Sequence, residues 1–126
     1  MGRKSHADTS WLIALLNPID ISHKLALRQL EELNAPASIS TFVLAELMVS
    51  FEKSDIGSIP VTLQEIEKSF SPIVELSKDI AISAAQICSS SKITLGDAIV
   101  IASALDQNSD LLTFDKNMKA VYERNK

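Results

Sequence analysis

The stretch TLGDAIVIASALDQNSDLLTFDKNM, residues 94–118, decides the fold. Thr94 followed three residues later by Asp97 has the spacing of a capping box, and the apolar run behind it is long enough for a helix over 94–108. DLLTF at 110–114 reads as a short strand, and a terminal helix is expected from Asp115. Residues 78–90, just upstream, read as another helix. Strands separated by helical hairpins point to α/β layering with a parallel sheet. In such sheets function collects beyond the carboxyl ends of the strands.

Working outward, TSWLIALLN at 9–17 reads as a helix stopped by Pro18, and DISHKLALRQLEELN at 20–34 as a second with Asp20 as its N-cap. The second should bury a stripe of Ala26, Leu27, Leu30 and Leu33 and turn Lys24, Arg28, Glu31 and Glu32 to water. ASIS at 37–40 is a candidate buried strand, TFVLAELMVSFEK at 41–53 a helix, 62–70 an amphipathic turn and PIVELS at 72–77 a strand. Pro18, Pro36, the SDIGSIP stretch at 54–60 and Pro72 punctuate these elements.

With 126 residues, 46% of them hydrophobic, the chain suits one domain spanning 1–126. The net charge of −4 argues against a coat held on nucleic acid by nonspecific phosphate attraction. It does not exclude a nuclease, because divalent cations bound by acids reverse the local charge. Residues 116–126 are the basic exception, with Lys116, Lys119, Arg124 and Lys126 against Glu123. A single cysteine, Cys88, cannot close an intramolecular bridge, and the longest aliphatic stretch, AIVIASAL at 98–105, is far short of a membrane span. A soluble cytoplasmic protein is expected.

Four acids fall at junctions: Asp8 before the first helix, Glu46 early in the third, Asp97 in the first turn after Thr94, and Asp115 after DLLTF. Each has a bland explanation, since helix N-termini favour carboxylates as caps and through the dipole. Glu46 is the least easily explained so, because it is the one charge in TFVLAELMVSF, where a buried unpaired carboxylate would be very costly. A solvated strip with Ser50 and Lys53 is its alternative. A parallel sheet would bring all four to one edge, where they repel unless cations intervene. Oxygen ligands of this kind suit Mg²⁺ or Mn²⁺; Zn²⁺ would want histidine or cysteine, and only His6, His23 and Cys88 are present. Such a cluster supports metal-assisted phosphodiester hydrolysis.

ADTSWLIALLN at 7–17, STFVLAELMVS at 40–50, TLGDAIVIASAL at 94–105 and LLTFDKNM at 111–118 together resemble the PIN-domain family, in particular its VapC-like toxin ribonucleases. The resemblance implies a PIN-like three-layer α/β/α fold with a central parallel sheet and a Mg²⁺- or Mn²⁺-dependent endoribonuclease leaving 5′-phosphate ends. Asp8, Glu46, Asp97 and Asp115 match the family's catalytic and metal-binding acids. Thr9, Ser10 and Thr113 match supporting positions that orient the acids or a water. The resemblance further implies a homodimer and an antitoxin partner. Lys116, Lys119 and Arg124 are candidates for holding RNA, with a solvated basic helix face as their alternative. One segment departs from the family: MGRKSHA replaces the usual apolar first strand, which leaves the length of that strand and the placement of Asp8 open. A catalytically silent RNA- or protein-binding module and a housekeeping RNA-processing nuclease are the other readings. A phosphoaspartate domain is disfavoured because position 10 is Ser10 where an acid would be needed.

Overall fold

The computed structural model describes residues 3–54 and 59–126. Residues 55–58 of SDIGSIP, and Met1 and Gly2 of MGRKSHA, lie outside the described residues. The element order is β1 (Ser5–Ala7), α1 (Thr9–Leu16), α2 (His23–Glu32), β2 (Ile39–Ser40), α3 (Thr41–Ser54), α4 (Ile59–Ser69), β3 (Ile73–Val74), α5 (Lys78–Ser90), α6 (Leu95–Asp106), β4 (Asp110–Leu112) and α7 (Lys116–Asn125). All strand pairing is parallel: β1 with β4 and β2 with β3, in the registers His6–Leu111 and Ile39–Ile73. A parallel bridge between His6 and Ser38 joins the two pairs, so the spatial order is β3-β2-β1-β4. Successive residues of a strand face opposite sides, and His6 and Ala7 are both buried, as are Ile39 and Ser40. The sheet is therefore covered on both faces, as parallel sheets are.

The central helix is α6. It is buried at every position from Ala98 to Ala104, against Ile80, Ala84 and Ile87 of α5 on one side. Removing a side chain from its middle, as in Ile101→Ala, should cost about 2 to 5 kcal/mol. Thr94 caps it, its hydroxyl accepting from the Asp97 amide at 3.1 Å.

The first strand is present despite its composition. Ser5–Ala7 pairs with β4, and His6 fills a core position that an aliphatic residue would ordinarily take. His6 Nδ1 lies 2.6 Å from Ser38 Oγ, and among the described residues its Nε2 is a buried polar atom with no hydrogen-bond partner. Burial pushes its pKa down to about 4, so the ring is neutral at pH 7.

The second helix differs from expectation. It begins at His23, with Ser22 at its N-cap, and the Asp20 carboxylate accepts from the Ser22 amide at 2.8 Å, closing a turn ahead of the helix. Of its expected stripe only Ala26 is buried; Leu27 and Leu30 are exposed, and Leu33 is partly buried against the core. Helix α1 buries Trp11, Leu12 and Ala14, and α2 packs against α1 along a narrow line of contact. That line includes Trp11 Nε1 donating to Gln29 Oε1 at 2.7 Å and a contact of 2.7 Å between His23 Nδ1 and Ala14 O.

Candidate functional site

Asp8 leaves the end of β1 and caps α1, its Oδ1 accepting from the Trp11 amide at 3.0 Å. Ser10 Oγ donates to the same oxygen at 2.8 Å, and Thr113 Oγ1, just beyond β4, donates to Oδ2 at 2.6 Å. Both hydroxyls are themselves oriented by backbone donors: the Phe114 amide donates to Ser10 Oγ at 3.2 Å and the Asp115 amide to Thr113 Oγ1 at 3.0 Å. With each hydroxyl proton committed to Asp8, the 3.4 Å approach of Ser10 Oγ to Thr113 Oγ1 is a contact without a proton to share. A carboxylate offers roughly four acceptor positions. Three are filled here, and the one left is on Oδ2.

The other acids are held differently. Asp115 caps α7 through Oδ1, which accepts from the Met118 amide at 3.0 Å. Glu46 Oε1 accepts from Thr9 Oγ1 at 2.5 Å, which ties α3 to the start of α1. Asp97 sits in the first turn of α6. Burial raises the Asp97 pKa, hydrogen bonding with Thr94 opposes the rise, and the charges of Asp115, Asp8 and Glu46 add to it. Asp8 is raised by burial, against its bonds to Thr113, Trp11 and Ser10, with Asp115 adding repulsion. Of the four candidate acids, Asp8, Asp115 and Glu46 therefore all lie within electrostatic reach of Asp97, and Asp115 within reach of Asp8 as well.

Glu46 corrects one expectation. It is exposed, so the cost of a buried charge does not single it out; its distinction is the bond to Thr9. The helix buries Val43, Leu47 and Phe51, and Glu46 stands one position off that face. Taken as they stand, no three His, Cys, Asp or Glu side chains among the described residues form a group that could hold a metal ion. Two of the carboxylates are held elsewhere, Glu46 by Thr9 and Asp115 by its cap. In chemistry the donor set nonetheless fits a hard divalent cation, with acidic and hydroxyl oxygens only and like charges that a cation would relieve.

A PIN-domain family model matches residues 7–124, which includes all four acids. The chain belongs to the PIN-domain family. A comparison with curated protein sequences returns no match. Among solved structures, this PIN domain is similar to a toxin-antitoxin complex from Klebsiella pneumoniae, with 26% identity, a TM-score of 0.76 and coverage of 90% of this chain and 89% of that one. Mycobacterium tuberculosis VapC20, described as a Sarcin-Ricin loop cleaving toxin, matches at 19% identity and TM-score 0.76, covering 93% and 94%. FitAcB of Neisseria gonorrhoeae matches at 21% identity and TM-score 0.76, covering 94% and 93%.

The basic residues of this PIN domain divide by position. Lys116 directly follows Asp115 and is exposed. Lys119 is occupied: its Nζ donates to Leu111 O at 3.2 Å, pairs with Glu123 at 3.8 Å and lies 5.4 Å from the Tyr122 ring centre. Arg124 is eight residues beyond Lys116, which places it roughly 12 Å further along the axis of α7. Cavities of 410 Å³ beside α5 and α6 and 430 Å³ at the amino ends of the strands are lined by none of the four acids. The acid cluster lies outside both.

The four acids singled out in the sequence, with Thr9, Ser10 and Thr113, are linked in the structure by hydrogen bonds and electrostatics. Sequence reasoning missed His6 and Ser38, which carry the first strand through the core; the signal for them was polarity at a position that required burial. No helix among the described residues is long and apolar enough to cross a membrane.

Proposed function

We propose that this chain is a metal-dependent endoribonuclease and the toxin of a toxin-antitoxin pair. The observation that carries the reading is the Asp8 carboxylate, buried in a PIN fold, gripped by Ser10, Thr113 and the Trp11 amide, with Asp97 and Asp115 within electrostatic reach and Glu46 bonded to the adjacent Thr9. Mg²⁺ or Mn²⁺, when bound, would supply Lewis-acid charge at the scissile phosphate. Asp8 would contribute the open position on Oδ2, with Asp97 and Asp115 beside it and Glu46 turned in from Thr9. Ser10 and Thr113 keep Asp8 in one rotamer, and Glu46 would exchange its bond to Thr9 for the cation. Lys116 is the basic residue best placed to touch RNA backbone next to the acids.

The resemblance to solved toxin-antitoxin complexes supports an antitoxin partner; a homodimer, a cytoplasmic location and one domain over residues 1–126 are further parts of the proposal. An arginine from the antitoxin would match these carboxylates with a planar, permanently charged fork. Among the described residues no three ligand side chains stand ready as a group, and that favours a second reading, a silent RNA- or protein-binding module. One assay separates the two. Purified protein given single-stranded RNA and Mn²⁺ should produce fragments with 5′-phosphate ends, and Asp8→Asn should not. Cleavage by Asp8→Asn at the wild-type rate, or 2′,3′-cyclic phosphate ends, would contradict the nuclease mechanism; RNA binding without cleavage would favour the silent module.

A further inference from the structure

Gly96 occupies the first turn of α6, immediately before Asp97, where alanine would be the better helix former. Its missing side chain has a specific use. A methyl group on Gly96 would stand 2.3 Å from Cζ and 2.7 Å from Cε2 of Phe42, well inside the ~3.5 Å at which carbon atoms rest against each other. The ring of Phe42 therefore lies directly on the α6 backbone. Phe42 is the second residue of α3 and precedes Glu46 by four, so ring and carboxylate project from the same side of that helix. On the other helix, Asp97 is next to the glycine. Phe42 is only partly buried, at the margin of the core, so filling the interior does not explain why an aromatic ring is placed there.

We propose that the Phe42–Gly96 contact is a positioning device that sets the separation of Glu46 and Asp97, and through it the width of the cation site. The proposal rests on reading the four acids as that site. A cation such as Mg²⁺ demands near-ideal geometry, with ligand oxygens at about 2.0–2.1 Å, so a change in helix separation well under the thickness of a ring is felt in affinity. Shortening residue 42 removes the spacer. Adding a methyl at residue 96 displaces it.

The test is calorimetric titration of Mn²⁺ into the purified protein and into Phe42→Ala, Phe42→Leu, Gly96→Ala, the Phe42→Ala/Gly96→Ala double variant and Asp97→Asn, with thermal unfolding of each. Phe42→Ala and Gly96→Ala should each weaken Mn²⁺ binding by about tenfold or more, the scale on which supporting residues act, and Phe42→Leu by less. The double variant should be weaker than the worse single variant by much less than the product of the two effects, since both act through one contact. Affinities of Gly96→Ala and Phe42→Leu within about twofold of wild type would overturn the proposal, as would fully multiplicative losses in the double variant. Should Phe42→Ala not fold, Gly96→Ala and Phe42→Leu still decide the question. An unchanged affinity in Asp97→Asn, or no binding by wild type, would instead remove the cation site on which the proposal stands.

Discussion

Asp8 and Glu46 belong to one cluster but are held in opposite ways. Asp8 is buried at the end of a core strand with three hydrogen-bond donors on its oxygens, and both hydroxyl donors are fixed by backbone amides. Glu46 is exposed on the flank of a helix with one side-chain donor, Thr9. A buried carboxylate without those donors would be destabilised by desolvation, so Ser10 and Thr113 are what allow a charge to remain there. An exposed one needs no such support, and a single bond to Thr9 is what holds it. The comparison separates a preorganised ligand from an adaptable one within a single site.

The sharpest way to break that comparison is to remove the preorganised charge. Asp8→Asn should lower RNA cleavage on the order of 10³-fold, the scale lost with one preorganised charge-stabilising group. Gel-based cleavage assays with Mn²⁺ read this directly, and a loss no larger than that of Glu46→Gln would show that the two acids do not differ in the way argued here.

A smaller effect comes from the strand that carries Asp8. His6 is held down at about 4 by burial, against an unfolded value of about 6.5. Between those values the unfolded chain binds a proton that the folded chain does not. Stability due to this group is therefore fully present above about pH 6.5 and declines as pH falls toward 4, by at most roughly 3 kcal/mol. Asp8 and Asp97, whose pKa values are raised, act in the opposite sense and lose stability as pH rises through the carboxylate range. Denaturant unfolding of wild type and His6→Val across pH 4–7 should isolate the histidine, with a flatter profile in the variant. Equal slopes would mean that His6 is not the group that titrates.

Next in size is Thr113→Val, which removes the donor to Asp8 Oδ2 and the acceptor of the Asp115 amide together. Stability should fall by about 1 to 3 kcal/mol, and the Asp8 pKa should rise further, while Thr113→Ser should retain most of both. Carboxyl NMR titration checks the direction. The smallest effect is expected on the exposed side: Thr9→Val releases Glu46 at a cost below about 1 kcal/mol in thermal unfolding. A larger loss would mean that the Thr9–Glu46 bond is structural and that Glu46 is less free than its exposure suggests.

These contrasts also mark what the amino-acid sequence made legible. The helix over α6, the short strand after it and the acids at each junction were readable because a buried parallel sheet concentrates apolar runs and places caps at fixed points. The first strand was not readable. Its hydrophobic signal is carried by Ala7 alone, since His6 is made tolerable in the core by Ser38, thirty-two residues away, a partner no local pattern reveals. Exposure was misjudged in both directions: Glu46 was expected to be costly to bury and is not buried, and the leucines of α2 were expected inside and are largely outside. Periodicity identifies a face but not whether a neighbour covers it. Lys119 was a candidate for holding RNA for the same reason, because its bond to the Leu111 carbonyl depends on how α7 returns over β4.

The central claim is that the acids around Asp8 bind a divalent cation for phosphodiester chemistry, and calorimetric titration with Mn²⁺ tests it most directly. Wild type should bind, and the Asp8→Asn, Asp97→Asn double variant should lose that binding while remaining folded; the same affinity in both proteins would contradict the account.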